Sequence, residues 1–293
     1  MENDNSDGRT NRRQIALITG SSSGIGFETS LLLARKGIYT YSTMRNLGKS
    51  KEILEITKKE CLPLKVLTLD VTDEKSTQKA IDMVMYEQNR IDILVNNAGY
   101  SLVGALEQIS MDEIKEEFET NFFGIIRLIK AIVPIMRKQR SGTIVNISSM
   151  VGRFGVPLNA AYVSSKFALE GLSESISFEL EEFGIKVILI EPGVVQTDFL
   201  HNLKIKGNDA KSPYYKLMDL RIAFLKATIN SNVSSSDQVA NTILHAVNSN
   251  DPALRYVIGN DATNSIHVRK KLPDREFMKW IREGIFHGKG LTR

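Results

Sequence analysis

Tyr162 and Lys166 stand four positions apart in the run Ala161-Tyr-Val-Ser-Ser-Lys166, a spacing that puts a phenol and an ammonium on one face of a helix. Such a pair can move a proton. A free tyrosine titrates near ~10 and is a poor base at neutral pH, but a cation beside it favours the phenolate, and the hydroxyl can then exchange a proton with an alcohol or carbonyl. The same spacing also describes a packed aromatic beside a solvated lysine. The rest of the chain decides between the two.

Gln14-Ile-Ala-Leu-Ile-Thr19 is a short, mostly apolar run, followed by Gly20-Ser-Ser-Ser-Gly24-Ile-Gly26 and the helix-like stretch Phe27 to Lys36. It reads as strand, turn, helix. In that setting Gly20, Gly24 and Gly26 permit a tight turn and a close backbone approach, and the helix N-terminus attracts a pyrophosphate. Ser22, Ser23 and Ile25 share the loop. The spacing is G-x-x-x-G-x-G, not G-x-G-x-x-G, and no G-x-x-x-x-G-K-[ST] is present, which disfavours nucleotide hydrolysis. A second strand, Ile38 to Thr43, ends at Thr43-Met44-Arg45, about twenty residues beyond the glycines, where an acid would bond the 2′-hydroxyl of NAD. Arg45 instead offers a planar cationic fork suited to a 2′-phosphate. NADP(H) is therefore expected over NAD(H).

With the motifs that follow, the chain from about Ile15 to Asp261 resembles the short-chain dehydrogenase/reductase family. Thr19 to Gly26 looks like its cofactor loop, Asp70-Val71 like the pair beside the adenine, and Asn96-Asn97-Ala98-Gly99 like the turn ending its fourth strand. Asn121 in Thr-Asn-Phe-Phe-Gly124, Ser149, Tyr162, Lys166 and Pro192-Gly193 follow in family order. The resemblance implies that Tyr162 is the general acid in carbonyl reduction and the base in the reverse reaction. It implies that Ser149, thirteen residues before Tyr162, holds the substrate oxygen, leaving Ser148 a structural role. It further implies that Lys166 bonds the nicotinamide ribose and depresses the Tyr162 pKa. Asn121 would break its helix and hold a water feeding Lys166, Asn97 would support the backbone near the cofactor, and the backbone of Val194 to Thr197, with Val195 and the Thr197 hydroxyl, would meet the nicotinamide carboxamide.

The whole chain sets bounds on these readings. Its 293 residues contain no Gly/Ser/Pro-rich linker, so one domain is expected, with a loose tail at 1–13, a catalytic domain at 14–261 and a C-terminal extension at 262–293. Strands are expected near Ile15 to Thr19, Ile38 to Thr43, Leu64 to Leu69, Ile91 to Asn96, Thr143 to Ser148, Lys186 to Glu191 and Arg255 to Ile258. Their alternation with helix-like runs implies an α/β, Rossmann-type doubly wound domain, a parallel sheet of about seven strands with helices on both faces. The net charge of +4 is spread without a basic run, which argues against nucleic-acid binding. A single cysteine, Cys61, fits a reducing compartment, the polar Met1 to Arg13 lacks a signal-like apolar core, and no stretch approaches the ~20 apolar residues of a membrane span; the cytoplasm is the expected location. Four scattered histidines, His201, His245, His267 and His287, offer no metal-ligand spacing, and a G-x-S-x-G hydrolase elbow is missing.

The stretch 198–232, with Phe199, Leu200, Tyr214, Tyr215, Leu217, Met218, Phe224 and Leu225, resembles the family's variable substrate-covering region. Such a lid would exclude water from the hydride step, and its apolar content suggests a lipophilic substrate; the same residues could instead simply pack as amphipathic helices. Tyr100, Leu102, Phe154 and Leu158 are candidate pocket walls. Lys270-Lys271-Leu-Pro273 should interrupt any helix, after which Arg275 to Phe286 places Phe277, Ile281 and Ile285 on one face to dock on the protein. The expected activity is an NADP-dependent interconversion of an alcohol with a ketone or aldehyde. The alternatives are a β-ketoacyl-thioester reductase, with Arg153 or Lys204 meeting an acidic carrier, and a non-catalytic NADP-sensing regulator. The resemblance also implies a homodimer or homotetramer pairing through Met111 to Arg137 and Ala161 to Phe183.

Overall fold

Seven runs, six of them rich in Ile, Val and Leu, form one sheet: Ile15–Ile18 (β1), Tyr39–Met44 (β2), Leu64–Thr68 (β3), Ile93–Asn96 (β4), Gly142–Ile147 (β5), Ile185–Pro192 (β6) and Arg255–Ile258 (β7). The computed structural model describes residues 12–197, 203–229 and 233–287. Strand order is β7-β6-β5-β4-β1-β2-β3, and every neighbouring pair is parallel. Strands covered on both faces read as nearly continuous apolar runs; in β6, Ile188, Leu189 and Ile190 are all fully buried.

Alternate residues of each strand serve opposite layers. Ile15, Leu17, Leu94, Ile144 and Val187 pack against Ile81 and Val84 of helix Glu74–Gln88, Leu128 and Ile132 of helix Gly124–Gln139, and Leu169 of helix Ala160–Glu181. Ala16, Ile18, Ile93, Val95, Val145 and Ile190 pack against Leu33 of helix Gly24–Arg35 and Val239, Ile243 and Ala246 of helix Ser236–Asn248. Helices Gly24–Arg35, Lys51–Lys59, Glu74–Gln88, Met111–Phe118, Gly124–Gln139, Ala160–Glu181, Tyr215–Ile229, Ser236–Asn248, Asn260–Lys271 and Asp274–Phe286 are α1 to α10 in that order. The winding direction changes at β1, flanked by β2 and β4, so a crevice opens at the carboxyl ends of these strands.

The break expected at Asn121, within the run Met111 to Arg137, is a π-helical turn, Glu119–Phe123, that joins α4 to α5. Two features depart from the sequence expectation. The domain boundary placed after Asp261 cuts α9, whose Ala262 and Ser265 are fully buried. The tail boundary at Arg13 also moves, because its Nε donates to the Gly37 carbonyl at 2.9 Å and its guanidinium lies 5.5 Å from the Tyr39 ring centroid; residues 1–11 lie outside the described residues.

Two short parallel pairings anchor the segment after β6. Val195–Gln196 pairs with Ser234–Ser235, and Lys204–Ile205 with Leu102–Val103. Between them, α7 is reached after a stretch in which Phe199, Leu200 and His201 lie outside the described residues, as do 230–232. Pro273 separates α9 from α10, and Phe277, Ile281 and Ile285 of α10 are buried with Val151, Phe154 and Ile266. The Phe154 and Phe277 rings meet edge to face at 5.4 Å. Phe277→Ala should lower stability by about 3–5 kcal/mol, read as a lower denaturant midpoint at unchanged slope; a loss under about 1 kcal/mol would show that α10 is not part of this core.

Candidate active site

The loop between β1 and α1 is stapled to the end of β4. Thr19 Oγ1 accepts from the Asn97 and Ala98 amides at 3.0 and 3.1 Å, while Asn97 Nδ2 donates to the Thr19 and Gly20 carbonyls, both at 2.9 Å. Gly20 and Gly24 have φ of +66° and +61°, a region that penalises a side chain. A Cβ on Gly20 would lie 2.7 Å from Ala98 Cα, and one on Gly26 only 2.4 Å from Asn97 Nδ2. Ser23, the N-cap of α1, makes no side-chain cap bond, which leaves first-turn amides for an anion. This cradle fits a dinucleotide pyrophosphate.

A cleft of about 550 Å³ covers this end of the sheet. Gly20, Ser22, Ser23, Gly24 and Ile25 line its centre, and Arg45, with Lys49, lines it beyond β2. Asp70 and Val71 follow after β3, Asn97, Ala98 and Gly99 after β4, and Pro192, Gly193, Val195 and Thr197 after β6. Asp70 Oδ1 accepts from the Thr72 amide and hydroxyl. Asp261 accepts from the Val194 amide at 2.7 Å, fixing the turn after Gly193. Gly26 and Asn121 lie behind the wall; both are buried.

Ser149, Tyr162 and Lys166 line the same cleft. Ser149 follows β5 and caps a 3₁₀ turn, its Oγ accepting from the Val151 amide at 3.3 Å, and the Tyr162 hydroxyl is hydrogen-bonded to it. Lys166, one turn along α6, donates to the Ile147 carbonyl at 2.8 Å and lies 5.6 Å from the Tyr162 ring centroid. Asn121 sits in the π turn. Its Oδ1 accepts from the Tyr100 amide at 3.1 Å, and its Nδ2 donates to the Tyr100 carbonyl at 2.9 Å and to Ser165 Oγ at 3.2 Å. The wider turn carries this side chain onto α6 beside Lys166.

The family model for short chain dehydrogenases matches residues 14–207. This chain belongs to the short-chain dehydrogenase family. The dehydrogenase is 36% identical over 250 residues to 3-ketodihydrosphingosine reductase of Bacteroides thetaiotaomicron, covering 84% of this chain and 88% of that protein. It is 40% identical over 251 residues to retinol dehydrogenase 8 of Homo sapiens, covering 82% and 79%. A solved short-chain dehydrogenase from Streptomyces avermitilis superposes with a TM-score of 0.81 at 28% identity, covering 92% of this chain and 97% of that one. Nicotinamide-dependent oxidoreduction is the chemistry of this family.

Burial dominates the electrostatics of the dehydrogenase's proton site. It pushes the Tyr162 phenol well above its ordinary value, opposed by the bond to Ser149 and reinforced by the charge of Glu117. Here the phenol stays protonated: the cation effect expected from Lys166 does not bring it down. Burial also pushes the Lys166 ammonium down to about 8, against the pull of Glu117 and Glu170. Glu117 itself is raised to about 7 by burial, opposed by the Leu102 amide and by Lys166 and Lys204. Its Oε1 accepts from Leu102 N at 2.8 Å, and its Oε2 has no hydrogen-bond partner among the described residues.

The sequence reading missed Glu117, although it stands four residues before Asn121 on a helical run and so faces the same side. It also missed Lys49, Asp261 and the buried Arg221 of α7, none of which carries a local motif. Of the candidate walls, Tyr100 lines the cleft, whereas Leu102, Phe154 and Leu158 do not. Leu102 and Phe154 are drawn into the interior. Arg153 is not free at the mouth either: it bonds Glu191 at 2.9 Å, a buried carboxylate also 3.3 Å from Arg255.

Lys166 holds its charge below about pH 8 and loses it as pH rises through that value, while burial makes Tyr162 hold its proton more tightly than a free phenol. The kcat/KM for carbonyl reduction, which reports groups of the free enzyme, should therefore decline above about pH 8. Glu117→Gln should move this limb to lower pH, since the carboxylate raises the Lys166 pKa. A limb that stays in place or moves upward in that variant would disprove the pairing.

Proposed function

We propose that this dehydrogenase interconverts a lipophilic alcohol with its ketone or aldehyde, using NADP(H). The observation that carries the reading is one cleft with Ser149, Tyr162 and Lys166 in one part and the cations Arg45 and Lys49 beyond β2. The nicotinamide, when bound, supplies or accepts the hydride at the carbonyl carbon. Gly20 to Gly26 and the first turn of α1 hold the pyrophosphate, Arg45 and Lys49 the 2′-phosphate, and Asp70 and Val71 the adenine side. Asn97, Ala98 and Gly99 support the backbone beside the ribose that Lys166 bonds, and Pro192, Gly193, Val195 and Thr197 meet the carboxamide. Ser149 donates to the substrate oxygen. As the carbon–oxygen π bond opens, that oxygen takes the Tyr162 proton, so a C–H and an O–H bond form together; oxidation runs the same steps in reverse. Asn121 acts as a positioning residue through Tyr100 and Ser165.

Val103, Met150, Val151, Leu203 and Leu225 supply the apolar wall, and the relatives named for retinol and 3-ketodihydrosphingosine agree with a lipophilic substrate. The β-ketoacyl-thioester reading loses Arg153, which is committed to Glu191, but keeps Lys204, which lines the cleft; a sensor has no use for the proton donor. No helix among the described residues is long and apolar enough to cross a membrane, and the lone, exposed Cys61 suits the reducing cytoplasm.

Exposed Phe123, Phe167 and Phe178 on the π turn and α6 favour a homodimer or homotetramer formed through these helices; light scattering that gives only the monomer mass would remove that part of the reading. One assay, NADPH or NADH consumption over lipophilic ketones and aldehydes, tests the chemistry. Tyr162→Phe should abolish turnover yet bind NADPH normally, and activity near the native level in that variant would sink the assignment. Arg45 is exposed whereas Met44 is buried, so the cofactor test belongs at Arg45. Arg45→Ala should weaken NADPH about 10-fold with little change for NADH, and an unchanged preference would show that Arg45 does not read the phosphate.

A further inference from the structure

α7 presents Met218, Arg221 and Leu225 at i, i+3 and i+7, one face of the helix. Met218 is fully buried, and Leu225 lines the cleft. Arg221, between them, also lines the cleft although it is only 6% exposed. Its Nε has no hydrogen-bond partner among the described residues, and its guanidinium lies 5.7 Å from the Phe224 ring centroid. Burial pulls it down to about 10, and no carboxylate among the described residues pulls it back. Buried cations are ordinarily paired, and the other arginines near the core follow that rule. Arg255 bonds Glu170 and Glu174, Arg153 bonds Glu191, and Arg90 bonds Asp92. Among the described residues, the carboxylate lining the cleft is Asp70, already turned to Thr72 after β3. Among the described residues, that leaves the cleft itself as the site for a counter-charge.

We infer that the substrate carries a carboxylate that Arg221 receives, so that this dehydrogenase acts on an aliphatic oxo acid or hydroxy acid and not on a neutral lipid. A carboxylate matches the planar fork of a guanidinium in two parallel hydrogen bonds. The chain joining it to the reacting carbon would lie along Leu203, Leu225, Met150 and Val151, which line the same cleft. The inference rests on the proposed carbonyl chemistry for its substrate class, but the anion site can be read by binding alone.

Octanoate, decanoate and dodecanoate, with their methyl esters, would be titrated by calorimetry into the NADPH-loaded full chain. At least one acid should bind ~10- to 100-fold more tightly than its ester, the range expected for a charge-assisted pair. Arg221→Met should erase that difference without changing NADPH affinity, and Arg221→Lys should keep part of it. Equal binding of acid and ester by the native protein would overturn the inference, and that comparison needs no variant. Arg221→Met that loses NADPH affinity instead would overturn it too, by assigning the guanidinium to the cofactor. Keto acids of the same lengths and their esters separate the two readings. Turnover of the esters with no preference for acids would leave the carbonyl chemistry standing and sink the anion site. Tight binding of the acids with no turnover of any oxo compound would do the reverse.

Discussion

Lys166 keeps an ammonium at 5% exposure, and the arrangement around it follows from that demand. A buried cation persists only where acceptors and opposite charge repay its lost hydration. The Ile147 carbonyl at the end of β5 supplies the acceptor, and Glu117 from α4 and Glu170 from α6 supply the charge. α4 must therefore end close to α6, and the π turn after it is where the helix readjusts so that Asn121 can hold both Tyr100 and Ser165. The same burial keeps Tyr162 protonated. Its acidity in this state is set by the dry environment and by Ser149 more than by the lysine one turn away.

The cofactor side rests on close backbone approach. Thr19 and Asn97 exchange bonds between the ends of β1 and β4, which are adjacent because the sheet reverses its winding there. That contact leaves no volume for a Cβ at Gly20 or Gly26. The glycines thus serve two ends: they let the loop turn, and they let the neighbouring strand's asparagine reach it. Thr197, 3.2 Å from where a Gly24 Cβ would sit, brings the end of β6 to the same loop.

Part of the wall of the cleft comes from beyond the family match at 14–207. α7 supplies Arg221 and Leu225 to the cleft, while α10 packs Phe277, Ile281 and Ile285 behind Phe154 and Val151. The aromatic cluster of α10 includes Tyr162 and Phe224 as partly buried members, so one apolar body touches both Tyr162 and α7.

Local patterns in the sequence determined the strands, the glycine turn and the four-residue step from Tyr162 to Lys166, because each depends on residues near one another in the chain. β7 falls at Arg255 to Ile258 as read, and the other strands within about two residues. Asn121, Ser149 and the turn after Pro192 were legible only through the family motifs, since nothing local distinguishes them from a helix defect or a strand-end serine. Tertiary structure alone decided which charges are paired. Arg153 and Arg221 look alike in the sequence, yet one closes on Glu191, a strand away, and the other meets no carboxylate among the described residues. Whether an ionisable group finds a counter-charge, and how far burial moves its pKa, depends on groups brought together across tens of residues, which no periodicity records.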